Sequence, residues 1–574
     1  MHDILVNRQD MDFYLHDWLH IGACADRAMV DAFLDLSEKL AADHFLPHYK
    51  KSDVIEPTLD ERGVHILPDI GDALGHYTRL GFFSAGFAEE DGGLGLPFLA
   101  CATSFACFAA ANIATAAYPM LTVANARLIC AFGTDAQKQQ FAAPQIAGRW
   151  FGTMCLSEPQ AGSSLADIQT RASPEGSDRL GDRYRLRGNK MWISGGDQDA
   201  SDNIVHLVLA KVPGPNGLLP EGTVGLSLFI VPKILPDGRR NDVSVAGLNH
   251  KMGYRGTANC LLNFGENEGA TGWIVGRPGE GLKQMFMMMN EARISVALGA
   301  AALACRSHRL SVNYAKERTQ GRPAGVRSGP PVPIIAHPDV KRMLLAQKAY
   351  AEGALALCLL CASLVDREAD PECAALLGLL TPVAKTWSSE YGLAANDIAI
   401  QIHGGYGYTR DFDVEQLWRD NRLNPIHEGT TGIQAMDLLG RKILRDGTTL
   451  PLLAAKLAAT AGRAEGDLAP HGAALLRAWD DIETCLESLR TVPADQAMDN
   501  ATPFLRAFGH VIMGWIWLDL ALLGQDRHAG TRLAEGKRRA CRYFFESELP
   551  QVKAWLAAVT AGSDTASGAA VDIF

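Results

Sequence analysis

Apolar residues recur every three or four positions from Asp12 to about Thr153, as in Phe33, Leu36 and Leu40 and again in Leu121, Ala124, Leu128 and Phe132. That is the repeat of a helix with one buried face, so residues 1–153 are expected to form a helical domain. Closely spaced glycines at Gly81, Gly86, Gly92 and Gly93 interrupt it with turns. From Phe151 to about Val275 the pattern changes to short apolar runs. Tyr184-Arg185-Leu186-Arg187 alternates, while Ile204 to Ala210 and Gly225 to Pro232 read as buried strands, so residues 154–278 are expected to form a β domain. The helical period returns from Gly281 to about Asp446 (Met285 and Met289, Ala349 with Gly353, Leu357 with Leu360 and Leu364), broken by a loop from Gln320 to Pro338. A four-helix bundle over 279–446 suits that length and period. Residues 447–574 are again helical and rich in Ala and Leu, an additional helical domain in which Thr502 and Pro503 are placed to cap and start a helix. The tail after Ala561 is expected to be unstructured.

Composition narrows the function. The 574 residues carry a net charge of −11, which argues against a nucleic-acid partner, since grip on phosphate backbones needs concentrated Lys and Arg. Residues 450–574 hold 12 Lys/Arg against 15 Asp/Glu, with only Lys537, Arg538 and Arg539 clustered. The 12 cysteines are scattered, and the one CxxC spacing, Cys358 to Cys361, lies in an apolar helical run without a second pair, so no metal site is expected. They read as reduced core thiols of a cytoplasmic protein. Met1 to Asn7 shows no secretion signal. The longest apolar stretch, Ala507 to Leu523, contains His510 and Asp519 and falls short of the ~20 residues of a bilayer span, so a buried helix is expected.

Three segments carry the chemistry. Pro425-Ile426-His427-Glu428-Gly429-Thr430-Thr431-Gly432-Ile433-Gln434 sets one carboxylate between an apolar approach and a Gly-Thr-Thr-Gly turn, where it is a candidate base. The other two are Cys155-Leu156-Ser157-Glu158-Pro159-Gln160-Ala161-Gly162-Ser163 and Lys190-Met191-Trp192-Ile193-Ser194. In this order, within a helical, β, helical-bundle succession, they resemble the flavin and thioester site of the acyl-CoA dehydrogenases. The resemblance implies a mainly α fold with a central, barrel-like β domain, FAD as cofactor, and conversion of an acyl-CoA to a trans-2-enoyl-CoA in fatty-acid β-oxidation.

By that resemblance Leu156 and Ser157 hydrogen-bond the pyrimidine side of the flavin, where negative charge collects on reduction. Trp192 covers one flavin face and Ser194 donates to N5, leaving the other face to substrate. Ser163 touches the CoA pantetheine or phosphates. In His250-Lys251-Met252-Gly253-Tyr254-Arg255, Arg255 meets the CoA phosphates or is a solvated turn residue. Glu291 and Arg293 border the acyl pocket, with Arg293 the CoA contact. One branch of the family places its base immediately before that Arg; Ala292 stands there in this chain, which favours Glu428. Arg318, and Gln401 with Gly404 and Gly405, resemble segments that reach the partner subunit's FAD, which implies a homodimer or larger oligomer. The backbone of Glu428, next to Gly429, holds the thioester oxygen, and Thr430 hydrogen-bonds the FAD. His427 replaces a common Tyr. The extension, with Trp515, Trp517, Tyr543 and Phe544, resembles the longer bacterial branch that includes methylthiopropionyl-CoA dehydrogenases, and its role is expected to be packing. Electrons pass to an electron-transfer flavoprotein; an acyl-CoA oxidase and a flavin-bound, nucleic-acid-associated relative are the alternatives.

Overall fold

In the computed structural model residues 5–574 are described, and by packing they divide into two compact units, residues 28–295 and residues 5–27 with 296–574.

The first unit is built on the helix α1 (Phe98–Phe132) and eight strands, β1 (Trp150–Cys155), β2 (Arg171–Asp178), β3 (Gly181–Ser194), β4 (Asn203–Lys211), β5 (Leu226–Pro232), β6 (Val243–Leu248), β7 (Asn259–Phe264) and β8 (Ala270–Ile274). Their order is β8-β5-β4-β2-β3-β7-β6, with β1 parallel to β4. β8 also pairs with β3 (Ala270 opposite Leu186), so β8, β5, β4, β2 and β3 close a ring, the barrel-like domain that was expected. β4 and β5 are buried on both faces, which is why they read as continuous apolar runs rather than alternating ones. Val205, Leu207 and Leu209 meet Leu226, Leu228 and Ile230 and pack with Ala126, Leu128 and Ile129 of α1.

The second unit takes the C-terminal half of α2 (Gly281–Glu317), then α3 (Pro338–Val365), α4 (Pro371–His403), α5 (Val414–Asn421) and α6 (Thr431–Met436), the last continuing in wider helical turns to Asp446. Asp370 caps α4, its side chain accepting from Glu372 N (2.9 Å) with Pro371 in the first turn. The extension adds α7 (Ala501–His528) and α8 (Arg532–Tyr543). Its aromatics are packing groups. Trp517 is fully buried with its indole N–H on Ala349 O (3.2 Å), and Trp515 donates to Thr460 Oγ1 (3.0 Å). Lys537 is fully buried as well, pairing with Asp10 (2.7 Å) and Glu352 (2.9 Å) and donating to Tyr14 Oη (2.7 Å). Burial pulls that ammonium down, but the two carboxylates outweigh it and hold its pKa above the ordinary value.

Three expectations change. α7 starts at Ala501 with Asn500 at the N-cap, so Thr502 lies inside the first turn and does not cap it; Pro503 keeps its first-turn place. Its 28 residues, like α1 and α3, are long and apolar enough to cross a membrane by length and composition, although 83 to 89% of each apolar window is buried inside the protein. The tail forms turns and a short 3-10 helix (Val571–Ile573), with Ser567 donating to Asp499 (2.7 Å).

Candidate active site

Trp192 and Glu428, at the centres of two of the three segments, share a backbone feature invisible in sequence. Among the described residues only His20, Trp192, Tyr254 and Glu428 are non-glycine with positive φ (Trp192 at 65°, Glu428 at 53°). Such a conformation costs about 1–2 kcal/mol per residue and collects at functional sites.

In the β unit, the pairing of β3 with β7 shifts between Lys190 and Ile193, leaving Met191 and Trp192 opposite Leu261 alone. This bulge turns Trp192 outward, where the indole is 59% exposed. Ser194 Oγ accepts from Asn259 Nδ2 (3.3 Å), which leaves its O–H to donate. The exit of β1 is pinned to β3. Lys190 Nζ donates to Leu156 O (2.8 Å) and to Glu158 Oε1 (2.9 Å), and Met191 N donates to Ser157 O (2.9 Å). A Cβ on Gly162 would meet nothing within 4 Å, so that glycine is not demanded by packing; Ser163 beside it is exposed. His206 stands on β4 opposite Thr153 of β1, Nδ1 against Thr153 Oγ1 (2.7 Å), and burial pushes its pKa down to about 4.

Two arginines are more enclosed than their sequence context suggested. Arg255 is about a quarter exposed and faces Glu56 (3.2 Å) and Asp53 (3.8 Å), acids of its own unit. Arg293 is buried, and Glu291 pairs with Arg127 (3.2 Å).

In the helical unit, Glu428 leads from α5 into α6. Its carbonyl accepts from Gln434 Nε2 (3.0 Å), and the Gly429 carbonyl accepts from Lys385 Nζ (2.6 Å). Gly429 is needed there, with φ at +90° and Gln434 Nε2 2.6 Å from where a Cβ would stand. Thr430 sits at the N-cap of α6 without using its hydroxyl to cap, and is exposed. His427 is kept neutral, its pKa lowered to about 3 by burial and by Lys385. Asn424 Nδ2 donates to Asn421 Oδ1 (2.8 Å), so Asn424 Oδ1 faces the imidazole and accepts its Nε2–H (3.0 Å). The ladder continues from Asn421 Nδ2 to Asn396 Oδ1 (2.5 Å) and from Asn396 Nδ2 to Ser307 Oγ (2.5 Å), every link after His427 fully buried. Gln401, Gly404 and Gly405 are exposed, neither glycine's Cβ position meets an atom within 4 Å, and Arg318 is exposed beside Thr319 O (2.7 Å).

Sequence reasoning missed Lys385, the asparagine ladder and the Lys190–Glu158 pair as supports. Both lysines stood in helix or strand patterns as ordinary polar positions, and only their zero exposure reveals them. A cavity of about 200 Å³ lined by Asn7, Asp10, His308, Arg309, Lys348 and Glu352 includes none of the predicted site residues, and its acids are already paired with Lys348 and Lys537. The basic cluster of the extension is likewise neutralised. Lys537 is buried, and Arg538 and Arg539 pair with Glu535 and Asp467.

The strand ring carries an outward Trp and the helical unit a left-handed Glu, and comparison with known proteins gives the class of fold. Family profiles match in chain order: acyl-CoA dehydrogenase N-terminal domain (31–149), middle domain (153–266), C-terminal domain (279–444), and acetyl-CoA dehydrogenase C-terminal like (453–569). The chain belongs to the acyl-CoA dehydrogenase family, and is an oxidoreductase. It is 37% identical to 3-methylmercaptopropionyl-CoA dehydrogenase of Ruegeria pomeroyi, over 79% of each chain. Its fold is similar to that of ACDH-11 of Caenorhabditis elegans, solved with C11-CoA (TM-score 0.78, 19% identity, 98% of this chain and 94% of that one). An acyl-CoA dehydrogenase of Bacillus anthracis complexed with FAD has the same fold (TM-score 0.76, 20% identity, 97% and 90%).

Proposed function

We propose that this protein is an FAD-dependent dehydrogenase that removes the α-proton and β-hydride of an acyl-CoA thioester to give a trans-2-enoyl-CoA, with Glu428 as base. The observation that carries the reading is the left-handed backbone of Glu428, whose flanking carbonyls are held by Gln434 and Lys385. A chain maintains strain at a carboxylate where its direction matters. The residues suit FAD: outward Trp192, a Ser194 hydroxyl with a hydrogen to give, an uncapped Thr430, and glycines at 162 and 405 that neither internal packing nor a positive φ requires. Bound FAD supplies the acceptor for the hydride that leaves the β-carbon as the α-proton leaves.

The chain's own part is proton removal and charge placement. The α-proton of a thioester is weakly acidic, so Glu428 must be aimed at it while its own N–H faces the carbonyl oxygen on which charge develops; one such donor contributes about 3–4 kcal/mol. Neutral His427, fixed by Asn424, adds no charge to compete with that base.

The same reading extends to cytoplasmic fatty-acid β-oxidation, to a homodimer or larger assembly in which Arg318, Gln401, Gly404 and Gly405 serve the partner's FAD, and to an electron-transfer flavoprotein as acceptor. The Ruegeria relative makes a thioether-bearing propionyl-CoA the first substrate to try. Ser163, Arg255 and Arg293 are the proposed CoA contacts, Arg255 beside Glu56 and Asp53. Glu428→Gln should stay folded and FAD-loaded, while anaerobic flavin bleaching by an acyl-CoA panel slows on the order of 10⁴-fold. Normal bleaching by that variant would remove Glu428 as base. Peroxide at one equivalent per turnover in air would make the enzyme an oxidase instead.

A further inference from the structure

Burying an ion pair costs several kcal/mol per charge, and replacing one by apolar residues is often neutral or stabilising, so a fully buried pair beside a site calls for a reason other than stability. Lys190 and Glu158 have side-chain exposures of 0% and 3%. Glu158 collects five donors: Lys190 Nζ, Thr170 N (3.0 Å) and Thr170 Oγ1 (2.6 Å) on Oε1, Gln169 N (2.7 Å) and Gln160 Nε2 (2.8 Å) on Oε2. Burial alone would push this carboxyl up; Lys190 and the other donors outweigh it and hold it below its usual range. The carboxylate is therefore saturated, and it locks the ammonium in place.

The ammonium's second contact is the Leu156 carbonyl, at 2.8 Å. A trans peptide points its N–H opposite to its C=O, so a carbonyl drawn toward Lys190 turns the Ser157 N–H directly away from it. The following carbonyl, of Ser157, is held by Met191 N, which stops the peptide from rotating. Among the described residues no acceptor meets that outward N–H. A cation on the carbonyl end of a peptide also polarises its N–H end, and chained hydrogen bonds strengthen one another. The result is an aimed amide donor, stronger than an ordinary one.

We propose that Lys190, locked by Glu158, is a positioning residue that acts through the Leu156–Ser157 peptide to bind the reduced flavin more tightly than the oxidised one. This rests on the FAD reading above. The pyrimidine side of the ring carries more negative charge when reduced, so a polarised donor there favours the reduced state, and a neutral peptide favours it less. Lys190 is also the last paired residue before the bulge that ejects Trp192, so one residue adjoins both flavin-facing segments.

The test compares dissociation constants of oxidised and reduced FAD, obtained from apoprotein titration and dye-coupled redox titration, in Lys190→Met/Glu158→Gln and in Lys190→Gln. The first removes both charges together, and the second keeps an N–H donor at similar reach. In each, the preference for reduced FAD should fall about tenfold, the difference between a charge-assisted and a neutral hydrogen bond. Thr170→Val, which weakens the Glu158 shell without touching the Leu156 carbonyl, should lower the apoprotein Tm and leave the preference alone. A folded double variant with the wild-type preference overturns the proposal, and so does failure of both Lys190 variants to fold, which would make the pair structural. Failure of the wild-type protein to bind FAD at all would instead sink the functional reading.

Discussion

Lys190 and Lys385 are both buried ammonium groups resting on a peptide carbonyl near a left-handed residue, yet their surroundings differ in kind. In the β unit the cation is matched by a carboxylate with four further donors. In the helical unit Lys385 holds Gly429 O, and the loop is tied down by neutral amides running from His427 through Asn424, Asn421 and Asn396 to Ser307. A platform whose groups keep their protonation can contain a full ion pair. The base loop adds to Lys385 a run of amides, which hold direction and carry no titration of their own.

The comparison breaks most visibly at Lys385. Lys385→Met frees the Gly429 carbonyl and the backbone that aims Glu428, and a misplacement of about 1 Å costs on the order of 100-fold in turnover. Stopped-flow bleaching should show that loss with FAD affinity unchanged, the opposite of the Lys190 variants; a weakened FAD affinity with normal bleaching would erase the distinction between the two lysines.

Acid should sharpen it next. Each region holds a neutral His, with pKa about 4 for His206 on β4 and about 3 for His427 in the base loop. Both lie below the unfolded value of about 6.5, so each contributes stability that is complete above that pH and drains as pH falls toward the folded pKa, by about 1.4 kcal/mol per unit. Thermal midpoints measured from pH 7.5 to 5 should drop, and His206→Gln and His427→Gln should each flatten the slope. A slope unchanged in both variants would assign the acid sensitivity elsewhere.

The smallest effect is at the bulge. Trp192→Gly removes the indole but relieves φ of +65°, so the apoprotein should gain or hold about 1 kcal/mol while FAD binding weakens. A lower apoprotein Tm would mean that Trp192 is a packing residue after all.

The segments themselves were legible in sequence because each is a run of neighbours: Leu156 to Ser163, Lys190 to Ser194, Pro425 to Gln434. So was the strand domain, from its apolar runs. Their supports were not. Glu158 and Lys190 lie 32 residues apart, Lys385 and Gly429 44, and no local period encodes a contact made only when β3 or α4 is in place. The acids beside Arg255 were hidden for the same reason, since Asp53 and Glu56 reach it from about 200 positions earlier. The membrane-like composition of α7 shows the reverse hazard: a stretch judged too short by its polar interruptions is a 28-residue helix whose apolar character belongs to an interior.

Lys537 brings the extension into the chain's electrical balance. Asp10 at the start of the protein and Glu352 on α3 are both countered by an amine contributed from α8. Trimming the polypeptide after Asp446 would leave Glu352 to Lys348 alone and Asp10 without its cation, so a shorter working version would have to neutralise Asp10 in the same step that discards the last 128 residues.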